Sequence, residues 1–131
     1  MLCWRDLAAN EWVSEILAAI IGTSDLPEPP PGAPGAFGLS DPDRVRMVLG
    51  EAGFGDLTIE PVDEPLYLGP DVDRCYDALL RLSVVAGSVR DLDDQARAAV
   101  LDRLREAVRN KQGPEGVLFG SGSWLVRATA R

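Results

Sequence analysis

Gly35-Ala36-Phe37-Gly38-Leu39-Ser40-Asp41-Pro42-Asp43-Arg44-Val45, followed by Glu51-Ala52-Gly53-Phe54 and Leu57-Thr58-Ile59-Glu60, decides how this chain is read. Ser40 can cap a helix, Pro42 suits a first turn, and Asp43 supplies an acid three positions after the serine. Val45, Val48, Leu49 and Ala52 then fall on one helical face, and Gly53 closes the helix. From Leu57 to Glu60 apolar and polar residues alternate at the period of a strand. Asp63, Glu64 and Pro65 are expected to interrupt that strand before Leu66-Tyr67-Leu68. A helix leading into a strand makes the fold class α/β.

Upstream, residues 6–21 are predicted helical, because Val13, Ile16, Leu17, Ile20 and Ile21 recur at the spacing of one helical face, and Gly22 follows as a cap. Residues 27–35, PEPPPGAPG, hold neither a helix nor a central strand, since each proline removes a donor and extends its predecessor. They read as a semi-rigid connector within one domain spanning 1–131, with a proline-recognition ligand as the other interpretation. Downstream, residues 71–87 form a predicted helix with Val72, Cys75, Tyr76, Leu79 and Leu80 inward. A second runs over 93–110, with Ala96, Val100, Leu104 and Val108 as its stripe and Asp93 supporting Arg97 four residues on. Gly113 and Pro114 stop it, and residues 117–130 resume strand character, with Gly120 to Ser123 expected to bend or bulge. No internal repeat is detectable.

The 131 residues are 46% hydrophobic, enough for one folded domain. Thirteen Lys and Arg against 21 Asp and Glu leave a net charge of -8, which speaks against nucleic acid, whose binding needs clustered cations. No apolar run reaches the roughly 20 residues of a membrane span. Trp4, Arg5 and Asp6 stand where a signal peptide needs an apolar core, so a cytoplasmic location is expected. Histidine is absent, which removes Ser-His-Asp, Cys-His and His-metal chemistry. Cys3 and Cys75 match neither a CxxC pair nor a zinc spacing and are expected to be reduced and packed.

Gly120-Ser121-Gly122 lacks the helix, third glycine and lysine of a phosphate loop, and its serines do not fit GxSxG. Asp41, Asp43, Asp63, Glu64, Asp71 and Asp73 have no calcium-loop spacing, and most stand at helix starts where a carboxylate suits the dipole, so no metal site is expected. Trp4, Arg5, Asn10, Glu11 and Trp12 form the densest candidate cluster, two indoles with three polar side chains. Such a set can line a small-molecule pocket. The competing reading packs Trp12 in the core and leaves the others to cap the helix.

Cys3-Trp4-Arg5 and Asn10-Glu11-Trp12, the proline-rich stretch into residues 35–45, Glu51-Ala52-Gly53-Phe54, and Gly116-Val117-Leu118-Phe119-Gly120-Ser121 together resemble the C-terminal half of class I S-adenosylmethionine-dependent methyltransferases of the ubiquinone/menaquinone-biosynthesis-like group. The resemblance implies a truncated Rossmann-like fold: a small mixed sheet flanked by helices. Residues 1–4 would be the stub of a fifth strand, 40–52 the next helix and 57–62 a sixth strand. Residues 71–110 would be an inserted helical pair, and 117–130 a seventh strand antiparallel to its neighbours. It places Trp4, Arg5, Asn10, Glu11 and Trp12 on the substrate side as binding residues. The family's glycine-rich loop and its acidic cofactor ligands have no counterpart here, so no cofactor-binding or catalytic residue carries over. S-adenosylmethionine is the cofactor of the family, and none is assigned to this chain. The resemblance therefore implies a substrate-side half, inactive as a lone chain. It also implies a homo-oligomer formed through an uncovered sheet edge and the N-terminal helix. The alternatives are a non-enzymatic ligand-binding or protein-interaction module, and a subunit completed by a separate cofactor-binding chain.

Overall fold

Apolar periodicity and caps divide the chain into five α-helices and four strands in the computed structural model, which describes residues 1–23, 25, 26, 30 and 32–131. Pro27, Glu28, Pro29 and Pro31 of the expected connector lie outside the described residues. The strands are β1 (Leu2–Trp4), β2 (Phe54–Gly69), β3 (Gln112–Gly113) and β4 (Gly116–Ala130). The helices are α1 (Glu11–Ile21), α2 (Pro42–Glu51), α3 (Val72–Leu80), α4 (Ser83–Arg90) and α5 (Asp94–Arg109). The chain is thus mixed α/β. It divides into two compact units: residues 1–10, 27–64 and 120–131 make the first, and residues 11–26 and 65–119 the second.

In the sheet β4 lies between β1 and β2, and β3 pairs with β4. Leu2 faces Leu125 and Trp4 faces Ser123, an antiparallel register. β2 runs antiparallel to β4 as well. Arg131 N–H at the end of β4 donates to Gly53 O just before β2 (3.0 Å), while Ser121 Oγ near its start donates to Glu64 O (2.6 Å). The expected mixed sheet is corrected accordingly: every pairing among the described residues is antiparallel, because the last strand enters between the first two.

Four local expectations change. The helix expected over 6–21 begins as a 3-10 turn, Leu7–Ala9, capped by the Asp6 carboxylate on Ala9 N–H (3.1 Å), and α1 starts only at Glu11. Asn10, at φ -123 and ψ 80, separates the two. The α2 cap is Asp41, whose carboxylate accepts from Asp43 N–H (2.9 Å), one residue after the serine the spacing favoured. β2 is continuous through Asp63, Glu64 and Pro65. β2 is an edge strand of the sheet, where a proline's missing N–H can face outward at no cost to the ladder. Residues 71–87 are two helices, broken where Leu82 is extended at φ -66, ψ 132. Leu79 and Val85 are both buried, yet six residues of one helix would set them about 120° apart, so the chain restarts to bury both.

α5 and β4 follow the expected bounds closely, and β4 stays a strand through Gly120 to Ser123. Asp93 caps α5 through Ala96 N–H (2.7 Å) instead of supporting Arg97, whose guanidinium meets Asp94 at 3.8 Å and the carbonyls of Val89, Arg90 and Leu92.

The second unit holds a hydrophobic core. Ile16 and Ala19 of α1, Cys75 and Leu79 of α3, Val85 of α4, Leu104 and Val108 of α5, and Val117 and Phe119 of β4 form one buried cluster, with Trp12 and Tyr76 packed against it. Ile21, expected on the buried face of α1, is exposed. Gly116 closes the β3–β4 turn at φ 113, and a Cβ there would stand 2.6 Å from Gly69 O and 2.7 Å from the Tyr67 ring. Both the dihedral and the space demand glycine. In the first unit Val45 of α2 and Val126 of β4 are buried. No helix among the described residues is long and apolar enough to cross a membrane.

Candidate functional site

The chemistry-bearing residues of the first unit gather where β1 runs into the 3-10 turn beside β4. Asn10 is fully buried. Its Nδ2 donates to Arg5 O (3.2 Å), Asp6 O (2.9 Å) and Gly122 O (3.1 Å), and its Oδ1 accepts from Gly122 N–H (3.0 Å). Arg5 N–H adds a 2.9 Å bond to Gly122 O. One amide thus ties the turn after β1 to the middle of β4. Gly122 is required there, since a Cβ would lie 2.8 Å from Ala9 Cβ and 3.1 Å from Ala9 O.

Arg5 lies over the Trp124 ring, its Cζ 5.2 Å from the centroid, while Nη1 pairs with Asp63 at 2.7 Å. Trp124 Nε1–H donates to Ser40 O (2.8 Å), so the indole is held by a cation on its π system and a carbonyl at its edge. Cys3 Sγ donates to Leu39 O in the same loop (3.5 Å). Burial pushes the Cys3 thiol above its ordinary range, against the pull of the N-terminal ammonium, and burial alone raises Cys75. Both cysteines are unbridged.

Trp124 forms one wall of a groove of about 450 Å³. The 3-10 turn contributes Asp6 and Leu7, and the segment from Gly32 to Pro42 supplies Ala33, Pro34, Ala36, Phe37, Ser40 and Asp41. This volume lies in the range of small-molecule sites, which combine an apolar lining with a few polar groups. Asp6 and Asp41 are the ionisable side chains among its described lining. Each uses Oδ1 to cap a helical turn.

The five residues expected to bind substrate are divided. Trp4, Arg5 and Asn10 belong to the first unit, and Glu11 and Trp12 to the second. Trp4 faces Ser123 in the β1–β4 ladder. Arg5 backs Trp124, and Asn10 holds backbone. Glu11 pairs with Lys111 Nζ at 2.8 Å, and Trp12 packs on the core. None of the five lines the groove. Trp124 and the 32–42 loop were not among the expected binding residues, because a strand's period of two gives its faces without saying what stands opposite. The sequence signal for the loop is Gly32, Gly35 and Gly38, three residues apart, around Phe37.

Among the described residues no group of three His, Cys, Asp or Glu side chains could hold a metal ion. S-adenosylmethionine-type donors are cradled by a glycine-rich turn from a strand into a helix. Here β1 enters the 3-10 turn through Arg5 and Asp6, and β2 enters α3 through Pro70 and Asp71, so neither turn fits such a donor. A groove of this size and lining can orient and desolvate a small molecule. No protein-family model matches the chain. No curated protein matches it.

Proposed function

We propose that this chain is the substrate-side part of a small-molecule S-adenosylmethionine-dependent methyltransferase-like domain, with a Rossmann-like ancestry, and that the groove at Trp124 receives the acceptor. The observation that carries the reading is the placement of β4 between β1 and β2, antiparallel to both. The resemblance implies a seventh strand antiparallel to its neighbours, and a helix, here α2, before the sixth strand. The chain alone binds no methyl donor, because neither strand-to-helix turn fits one. Its test is calorimetry with S-adenosylhomocysteine: saturable, stoichiometric binding to the isolated chain defeats the reading.

Assembly belongs to the same proposal. Met1 and Arg5 make the bonds to β4, so by the strand period Leu2 turns its backbone to the outer side of β1, and its side chain is 65% exposed. Pro61 and Pro65 close the outer edge of β2 against another strand. A second copy therefore pairs along β1, with α1 as the other contact, and light scattering at micromolar concentration should read a dimer.

A second reading, a non-enzymatic small-molecule-binding module, is favoured by one observation: every described residue lining the groove comes from a single compact unit, so binding needs nothing else.

A further inference from the structure

We infer that the groove at Trp124 selects a small organic cation, an amine with a flat apolar body, over neutral or anionic molecules of the same shape. Its lining pairs two aromatic rings, Trp124 and Phe37, with two carboxylates, Asp6 and Asp41, and no lysine or arginine is among the described lining residues. Aromatic faces and carboxylates together stabilise an ammonium group and repel a carboxylate or phosphate. Two guanidiniums stand beside the lining without being part of it: Arg5, over Trp124 and paired with Asp63, and Arg44, which packs against Gly32 and borders Asp41 in the adjoining cleft. Asp6 and Asp41 each spend Oδ1 on a cap, and each carboxylate keeps Oδ2 as a further acceptor. As a statement about the methyl acceptor this rests on the reading above. As a binding claim it stands on the groove, and its test uses no methyl donor, so the two fail separately.

The probes are 2-phenylethylammonium, 2-phenylethanol and 3-phenylpropionate, titrated into the full chain while the indole N–H resonances are followed. The Trp124 resonance is assigned by its loss in Trp124→Phe. The ammonium should shift that resonance saturably and bind at least about tenfold more tightly than the alcohol or the carboxylate, each tenfold being 1.4 kcal/mol. Asp41→Asn and Asp6→Asn keep an equally good capping side chain while removing the charge, so both should fold normally and each weaken the ammonium about threefold or more. Ala36→Trp, on the exposed part of the lining, should block all three probes. Equal affinity for ammonium and carboxylate overturns the inference. So does unchanged ammonium binding in both asparagine variants, or an unmoved Trp124 resonance at millimolar ammonium.

Discussion

Replacing Asn10 with alanine probes the junction on which the first unit depends. The wild-type amide satisfies four backbone groups at 2.9–3.2 Å from a position with no solvent exposure. Gly122 O keeps its bond from Arg5 N–H in the variant. Gly122 N–H loses its acceptor, and a buried orphan donor costs about 1–3 kcal/mol. The bonds to Arg5 O and Asp6 O contribute about 1 kcal/mol each, and the space left by the amide adds to the loss. The total is about 3–5 kcal/mol, against about 7–20 kcal/mol for a domain of this length. With a urea slope of about 2 kcal/mol/M, the midpoint should fall by about 2 M. Urea unfolding of Asn10→Ala, followed by circular dichroism and tryptophan fluorescence, reads this directly. Asn10→Asp should be no better, because it keeps the acceptor for Gly122 N–H but sets a charge against three carbonyl oxygens. A midpoint within about 0.5 M of wild type, at unchanged slope, refutes the assignment of Asn10 as the staple.

Phe119→Ala empties the largest fully buried side chain of the core and should cost about 3–5 kcal/mol in the same assay, whereas Asp63→Ala, which breaks an exposed ion pair, should cost at most about 1 kcal/mol. Burial raises the folded pKa of Cys75 above its ordinary value of 9.0, so stability is intact below pH 9.0 and falls as pH climbs through the raised pKa. Unfolding midpoints from pH 8 to 10.5 should decline less steeply in Cys75→Ala than in wild type, relative to each protein's own value at pH 8. Leu2→Pro removes an N–H on the outer side of β1 and should halve the mass seen by light scattering while leaving the circular dichroism spectrum unchanged; a monomeric wild type contradicts the edge-pairing proposal.

α5 was legible because Ala96, Val100, Leu104 and Val108 make one continuous stripe, though the spacing assigns its cap, Asp93, to the support of Arg97 instead. β4 was legible as extended chain, but not the change of its buried side from Val117, Phe119 and Ser121 to Gly122 and Val126. Pro65 was misleading, since a proline breaks a central strand yet suits an edge, and sequence does not reveal which side of β2 is open. The α3–α4 break depends on burying Leu79 and Val85 together, a tertiary demand that outweighs a continuous apolar pattern. The cluster around Trp4 drew attention through its density of indoles and polar groups. Asn10 and Trp12 hold the fold, whereas the groove wall, Trp124, comes from a strand more than a hundred residues away in the chain. Such partners across a sheet leave no mark in local spacing.

The most direct test of the central claim is calorimetric titration of S-adenosylhomocysteine into two samples: the isolated chain, and the chain fused behind the cofactor-binding half of a methyltransferase of the resembled group. The account predicts no saturable heat from the first, and from the second stoichiometric binding with a single cooperative unfolding transition, as β1 gains a neighbour. Stoichiometric binding by the isolated chain, or a fusion whose two parts unfold independently, would contradict it.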